Sequence, residues 1–188
     1  MQTTRRLWLS QCAGIAALAD VVAAQQHAQE AARSANPPAF QTLDPAMAAD
    51  IDALASQVVP STDGPGAKEA GVIYFIDRAL ATFEADSLPR YRTGMAMVQN
   101  KRKQMFPHSA SVAALPSEQQ IELMHAIEKT EFFELLRTHT ILGLLGNPSY
   151  GGNRDRVGWK LIGFEDRMAY QPPFGYYDAH PDGDGEKQ

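Results

Sequence analysis

Between Leu43 and Leu145 the large apolar residues recur every three or four positions, in runs cut by proline or glycine, and this spacing constrains the fold more than any other feature. Met47, Ile51, Leu54 and Val58 share one helix face. Leu43-Asp44-Pro45 before them is a helix start, because Asp44 is placed to accept backbone N–H bonds and Pro45 is tolerated in the first turn. Pro60 closes that helix, and Ser61-Thr62-Asp63-Gly64-Pro65-Gly66 forms a loop. A second helix is predicted from about Ala67 to Glu84, with Val72, Ile76, Leu80 and Phe83 inward and Asp77, Arg78 and Glu84 facing elsewhere. A third starts at Ser87-Leu88-Pro89 and carries Tyr91, Met95, Val98 and Met105 up to Phe106-Pro107. Ser117 and Gln120 have capping-box spacing ahead of a fourth, in which Ile121, Leu123, Met124 and Ile127 face inward. A fifth begins near Glu131, holds Phe132, Leu135, Leu136, Ile141, Leu144 and Leu145, and ends at Gly146-Asn147-Pro148. No segment alternates with a period of two and no repeat is visible. The expected fold is all-α, a single helical-bundle domain of about five helices followed by a long glycine- and aromatic-rich C-terminal loop region.

The ends of the chain read differently. Arg5 and Arg6 stand ahead of a mildly hydrophobic, alanine-rich stretch from Ala13 to Ala24, the layout of a twin-arginine export signal. That stretch is short and carries Asp20, so it is a poor membrane span. Val22-Ala23-Ala24 offers small residues for cleavage. The expected organisation is a signal peptide over 1–24, a Gln/Ala/Ser-rich linker over 25–41, a helical domain over 42–180 and a disordered polar tail over 181–188. The address is the periplasm. Because the twin-arginine route moves folded proteins, often with a cofactor already inserted, a cofactor is expected nearby.

The chain offers no obvious place for one. The single cysteine, Cys12, lies inside the leader, so a mature chain would carry no thiol for disulfides, iron–sulfur ligation, Cys-type zinc or haem attachment. No GxGxxG follows a strand, which argues against a Rossmann route to FAD or NAD, and no phosphate-binding P-loop is present. Glu122-Leu123-Met124-His125 is half of a di-iron signature without its second half. His125 and His139 alone are weak grounds for a metal, and the acidic tail lacks the ligand spacing of a calcium loop. No nucleophile elbow is present. A net charge of −5 argues against a nucleic-acid partner, and Lys101-Arg102-Lys103 reads as a solvated helix end. No catalytic, cofactor-binding or metal-ligating residue is therefore assigned.

The remaining signal is the segment from Asn147 to Phe164. Gly151 and Gly152 permit unusual backbone, Asn153, Arg154 and Asp155 supply hydrogen-bonding groups, and Tyr150, Trp159 and Phe164 supply the large surfaces that carry interface energy. Asn147 to Asp155, followed by Val157-Gly158-Trp159-Lys160 and Ile162-Gly163-Phe164, resembles the signature segment of the gluconate 2-dehydrogenase subunit 3 family. The helices from Leu54 to Pro60 and from Leu135 to Gly143, and the leader, are similar in layout. The resemblance implies a non-catalytic small subunit of a membrane-associated dehydrogenase that oxidises sugars, sugar acids or polyols. It implies a large partner carrying FAD and the active site, a multihaem c-type cytochrome carrying haem c, and passage through the twin-arginine translocase. Under that resemblance Arg5 and Arg6 are the export signal. Partner docking is expected at Tyr150, Gly151, Gly152, Asn153, Arg154, Asp155, Trp159, Phe164 and Phe174. The competing expectations are a stand-alone periplasmic enzyme, such as a metal-dependent hydrolase using His125 and His139, or a binding module.

Overall fold

A computed structural model describes residues 38–167 and Ala169. The leader with Arg5 and Arg6, most of the linker, the tail and Phe174 lie outside the described residues. Helices α1 (Pro45–Val58), α2 (Val72–Ala81), α3 (Leu88–Met105), α4 (Ser117–Ile127), α5 (Glu131–Leu145) and the short α6 (Val157–Leu161) follow in order, and no strand is present among the described residues. The all-α reading holds. Asp44 caps α1, its Oδ1 accepting from Ala46 N at 3.1 Å and Met47 N at 2.9 Å. Thr130 caps α5 by accepting from Phe133 N at 3.2 Å.

Helix α2 packs against α5 and α1, while α1 also meets α4 and α5, so the core lies between these four. Ile51, Leu54, Val72, Ile76, Leu80, Leu123, Ile127 and Leu136 are among its fully buried members, joined from α3 by Tyr91 and Val98. Packing across α3 and α5 is close at Gly94, where an added Cβ would stand 2.1 Å from the Phe132 ring. Tyr91 meets the same ring edge-on at 5.5 Å.

Several expectations are corrected. Helix α2 starts at Val72, five residues later than predicted, because Gly71 takes a left-handed φ of 65° and Val72 N donates to Ala67 O, ending a separate turn over 66–71. Phe83 falls past the end of α2 and is exposed. Asp77, placed outward by the pattern, is buried, and its carboxylate accepts from Gln41 N (2.7 Å), Thr42 N (2.9 Å) and Leu43 N (2.9 Å). The Ser117 capping box does not form. Ser117 is already the first helical residue, and Gln120 is buried, donating to Val112 O and Leu115 O and accepting from Gln57 Nε2. Leu123 takes the inward place, and Ile121 and Ile141 are exposed. Arg102 is buried rather than solvated: it donates to Gln99 Oε1 and Ser109 O, in a network that includes Asp50 and pins the loop over 106–116. The segment after Pro148 is partly helical, with 3-10 turns at Pro148–Tyr150 and Arg154–Arg156 and then α6.

Candidate functional site

A helix leaves its last carbonyls without intrahelical donors, and the segment after α5 is built around supplying them. Asn153 N donates to Gly143 O at 2.7 Å, Asn153 Nδ2 to Gly146 O at 2.9 Å and Trp159 Nε1 to Leu145 O at 2.6 Å. The remaining side-chain atom of Asn153, Oδ1, accepts from Gly158 N at 2.9 Å and ties the start of α6 to the same point. Asn153 is fully buried and sits at φ 46°, a region that Asn tolerates better than other side-chain-bearing residues. Two glycines let the strands of backbone touch: a Cβ on Gly152 would stand 2.2 Å from Gly143 O, and one on Gly158 would stand 1.9 Å from Leu144 O.

The segment also seats on α2. Arg154 N donates to Ala70 O at 2.9 Å, Gly151 runs against Tyr74 O, and Arg78 NH1 donates to Ser149 O at 2.7 Å. The Arg154 guanidinium lies 5.4 Å from the Tyr74 ring centroid, and Phe40 stacks on Tyr74 at 5.4 Å. Asp155 and Arg156 are exposed at positive φ, with Arg156 over the Trp159 ring and 3.4 Å from Asp166. The residues singled out by sequence thus divide. Gly152, Asn153 and Trp159 are buried and hold the segment together, whereas Tyr150 (50% exposed) and Phe164 (46%) present their rings outward. Leu161 and Ile162 are exposed beside them in sequence, and Phe83 meets Tyr150 edge-on at 5.8 Å. Sequence reasoning missed Tyr74 and Arg78 as neighbours of this segment, together with Phe40 stacked on Tyr74 and Asp77, which anchors residues 41–43 beside that stack. Asp77 did carry a signal beyond the stripe of Val72, Ile76 and Leu80 that places it outward, since it also stands four after Ile73 and three before Leu80, both buried.

The fold separates the two histidines of the metal-hydrolase expectation. His125 is exposed on α4 and pairs with Glu128 at 3.1 Å, while His139 is buried on α5, its Nδ1 3.0 Å from Tyr91 OH. Burial lowers the His139 pKa, with Arg90 adding to the shift and Glu84 opposing it. Burial pushes the Tyr91 hydroxyl up, so the pair is neutral near pH 7. No group of three or more His, Cys, Asp or Glu residues able to hold a metal occurs among the described residues. A groove of about 460 Å³ between α3 and the start of α5 has an apolar floor of Gly94, Phe132 and Leu135 with Arg90 and Glu131 on its lining. Thr93 and Thr130 also line it.

The segment is thus a helix-end clamp from which Tyr150 and Phe164 face outward. The family model described as Gluconate 2-dehydrogenase subunit 3 matches residues 45–166. The chain belongs to that family. The match takes in all six helices and the whole Asn147–Phe164 segment, so the gluconate 2-dehydrogenase subunit 3 fold is the helical body together with its clamp. No curated protein and no solved structure matches the chain. Membership of a subunit family makes the chain one component of a multisubunit dehydrogenase.

Proposed function

We propose that this subunit is non-catalytic, docks on the FAD-carrying subunit of a gluconate 2-dehydrogenase type complex, supports its maturation, and carries it through the twin-arginine translocase on the leader that begins at Arg5 and Arg6. The observation that carries the reading is the division of labour in the Asn147–Phe164 segment. Gly152, Asn153, Gly158 and Trp159 are used internally at the carbonyls of α5, and the large apolar residues Tyr150, Leu161, Ile162 and Phe164 are left outside. Exposed aromatic and aliphatic groups held on a rigid base are what a protein interface needs. FAD belongs to the partner and haem c to a multihaem cytochrome subunit that takes the electrons, with the assembly held at the periplasmic face of the cytoplasmic membrane through these partners.

The test is to tag the chain at its C-terminus in its native host and purify it gently from periplasm and membrane. Flavin absorbance and a co-purifying large chain are expected with the wild-type leader, and with Arg5→Lys/Arg6→Lys the same flavoprotein should remain in the cytoplasm. A colourless, stable monomer from the periplasm would remove the docking reading, and normal flavoprotein export on the doubly substituted leader would remove the carrier role.

A further inference from the structure

Most of the arginines that approach a carboxylate in this fold do so at the surface: Arg137 on Glu134, Arg156 on Asp166 and Arg167 on Glu165. Arg154 and Arg78 behave differently. Among the described residues neither lies within ion-pair distance of a carboxylate, although the chain has 22 acidic against 17 basic side chains. The Arg154 Nε is buried without a hydrogen-bond acceptor among the described residues. Its guanidinium is nevertheless firmly placed. It lies over Tyr74 and against Gly71, where a Cβ would come within 3.2 Å of its Nη2. That position is at the head of α2, where the backbone N–H groups already give a positive potential, and apart from the Tyr74 ring no described group offsets the charge with a carboxylate at ion-pair distance.

Tyr74 and Arg78 are four residues apart on α2 and so share a face, and Arg78 holds Ser149, the neighbour of Tyr150. The exposed pair Phe83 and Tyr150 continues the same surface. One face therefore presents two guanidiniums with no carboxylate at ion-pair distance among the described residues, bordered by exposed aromatics. A stacked guanidinium keeps its planar fork oriented and is weakly hydrated, which suits bidentate capture of a carboxylate.

We propose that this face, formed by Tyr74, Arg78 and Arg154 with Phe83 and Tyr150 at its edge, seats an acidic segment of the flavin-carrying subunit, whose carboxylates engage Arg154 and Arg78. The inference rests on the docking reading above and names the chemistry of the occupant. Charge complementarity selects it: the chain is acidic as a whole, so an acidic segment is repelled elsewhere and steered to this face.

The test uses the full chain purified with its flavoprotein from the native host, in wild-type, Arg154→Gln and Arg154→Lys forms, each checked for native helicity and melting. Arg154→Gln should weaken flavoprotein retention by about tenfold or more at low salt and flatten its salt dependence, while Arg154→Lys, which keeps the charge but not the planar fork, should weaken it less and leave the salt dependence in place. Treating the Arg154→Lys complex with a carbodiimide should join the introduced amine to a carboxylate of the flavoprotein, a product that mass spectrometry identifies and that a purely structural arginine would not give. A folded Arg154→Gln chain that holds the flavoprotein like wild type at every salt concentration overturns the proposal and leaves the docking reading standing. If Arg154→Gln does not fold, the crosslink decides, and its absence from an intact complex overturns the proposal. A wild-type chain that retains no flavoprotein overturns both.

Discussion

Asn153 meets three demands that no other residue type meets together. It adopts a left-handed backbone conformation, donates to one carbonyl at the end of α5, and accepts from the N–H that opens α6. The pattern Gly-Gly-Asn-Arg-Asp is thus mostly folding chemistry, even though it sits in the segment that turns aromatic groups outward. Asn153→Ala keeps the backbone path but leaves Gly146 O and Gly158 N without their partner and places a Cβ-only residue at positive φ. Each unsatisfied buried group costs about 1–3 kcal/mol and the conformation a further 1–2, so a loss of about 3 kcal/mol or more is expected in chemical denaturation. Loss of stability within a few tenths of wild type would mean that the segment is held by its apolar contacts instead.

At the scale of elements, the helices were legible because their stripes are wide and their ends carry local signals such as Asp44-Pro45. What was not legible depends on contacts across the fold. The late start of α2 follows from a single left-handed Gly71, and the outward turn of Ile121, with Leu123 inside as expected, follows from how α4 meets α1. The short α6 has only five residues with Gly158 among them, and local pattern cannot show that this glycine is needed for approach to Leu144 O. The site was visible as a run of glycines and aromatics, but which of them face inward is decided by the carbonyls of a helix that precedes them. Asp77 makes the same point with a prediction attached. It gathers three consecutive N–H groups of residues 41–43 onto α2, next to the Phe40–Tyr74 stack, and so fixes where the N-terminal segment joins the body. Asp77→Ala should cost on the order of 3 kcal/mol and speed hydrogen exchange at Gln41, Thr42 and Leu43 more than in α4. Uniform exchange across the chain would show that these residues are not a separately anchored element.

For the whole molecule, the crossing of α2, α3 and α5 is organised around a polar pair set in an aromatic cage. Tyr91 and His139 stack at 5.6 Å with a hydrogen bond between them, and Phe132 and Phe75 close the edges. A neutral imidazole suits that site and an imidazolium does not, which is why burial lowers the His139 pKa below its ordinary value. The consequence for stability has a definite sign. Above the unfolded value of about 6.5 both states are neutral and the fold keeps its full stability. As the pH falls below it, the unfolded chain takes up a proton that the folded chain resists, so stability drops until the folded pKa is passed. The slope is at most about 1.4 kcal/mol per pH unit, that of one proton. The downward shift of Glu69 by its bonds from Ser61 and Gly66 acts below the window from pH 7 to 5, and the upward shift of Asp52 by burial has the opposite sign, because there the folded chain takes up the proton more readily than the unfolded one. His139→Gln keeps an acceptor for the Tyr91 hydroxyl and removes the titrating group. Its denaturation free energy, lower than wild type at pH 7, should change less than that of wild type from pH 7 to 5. An equal fall in both chains would locate the acid sensitivity outside the cage.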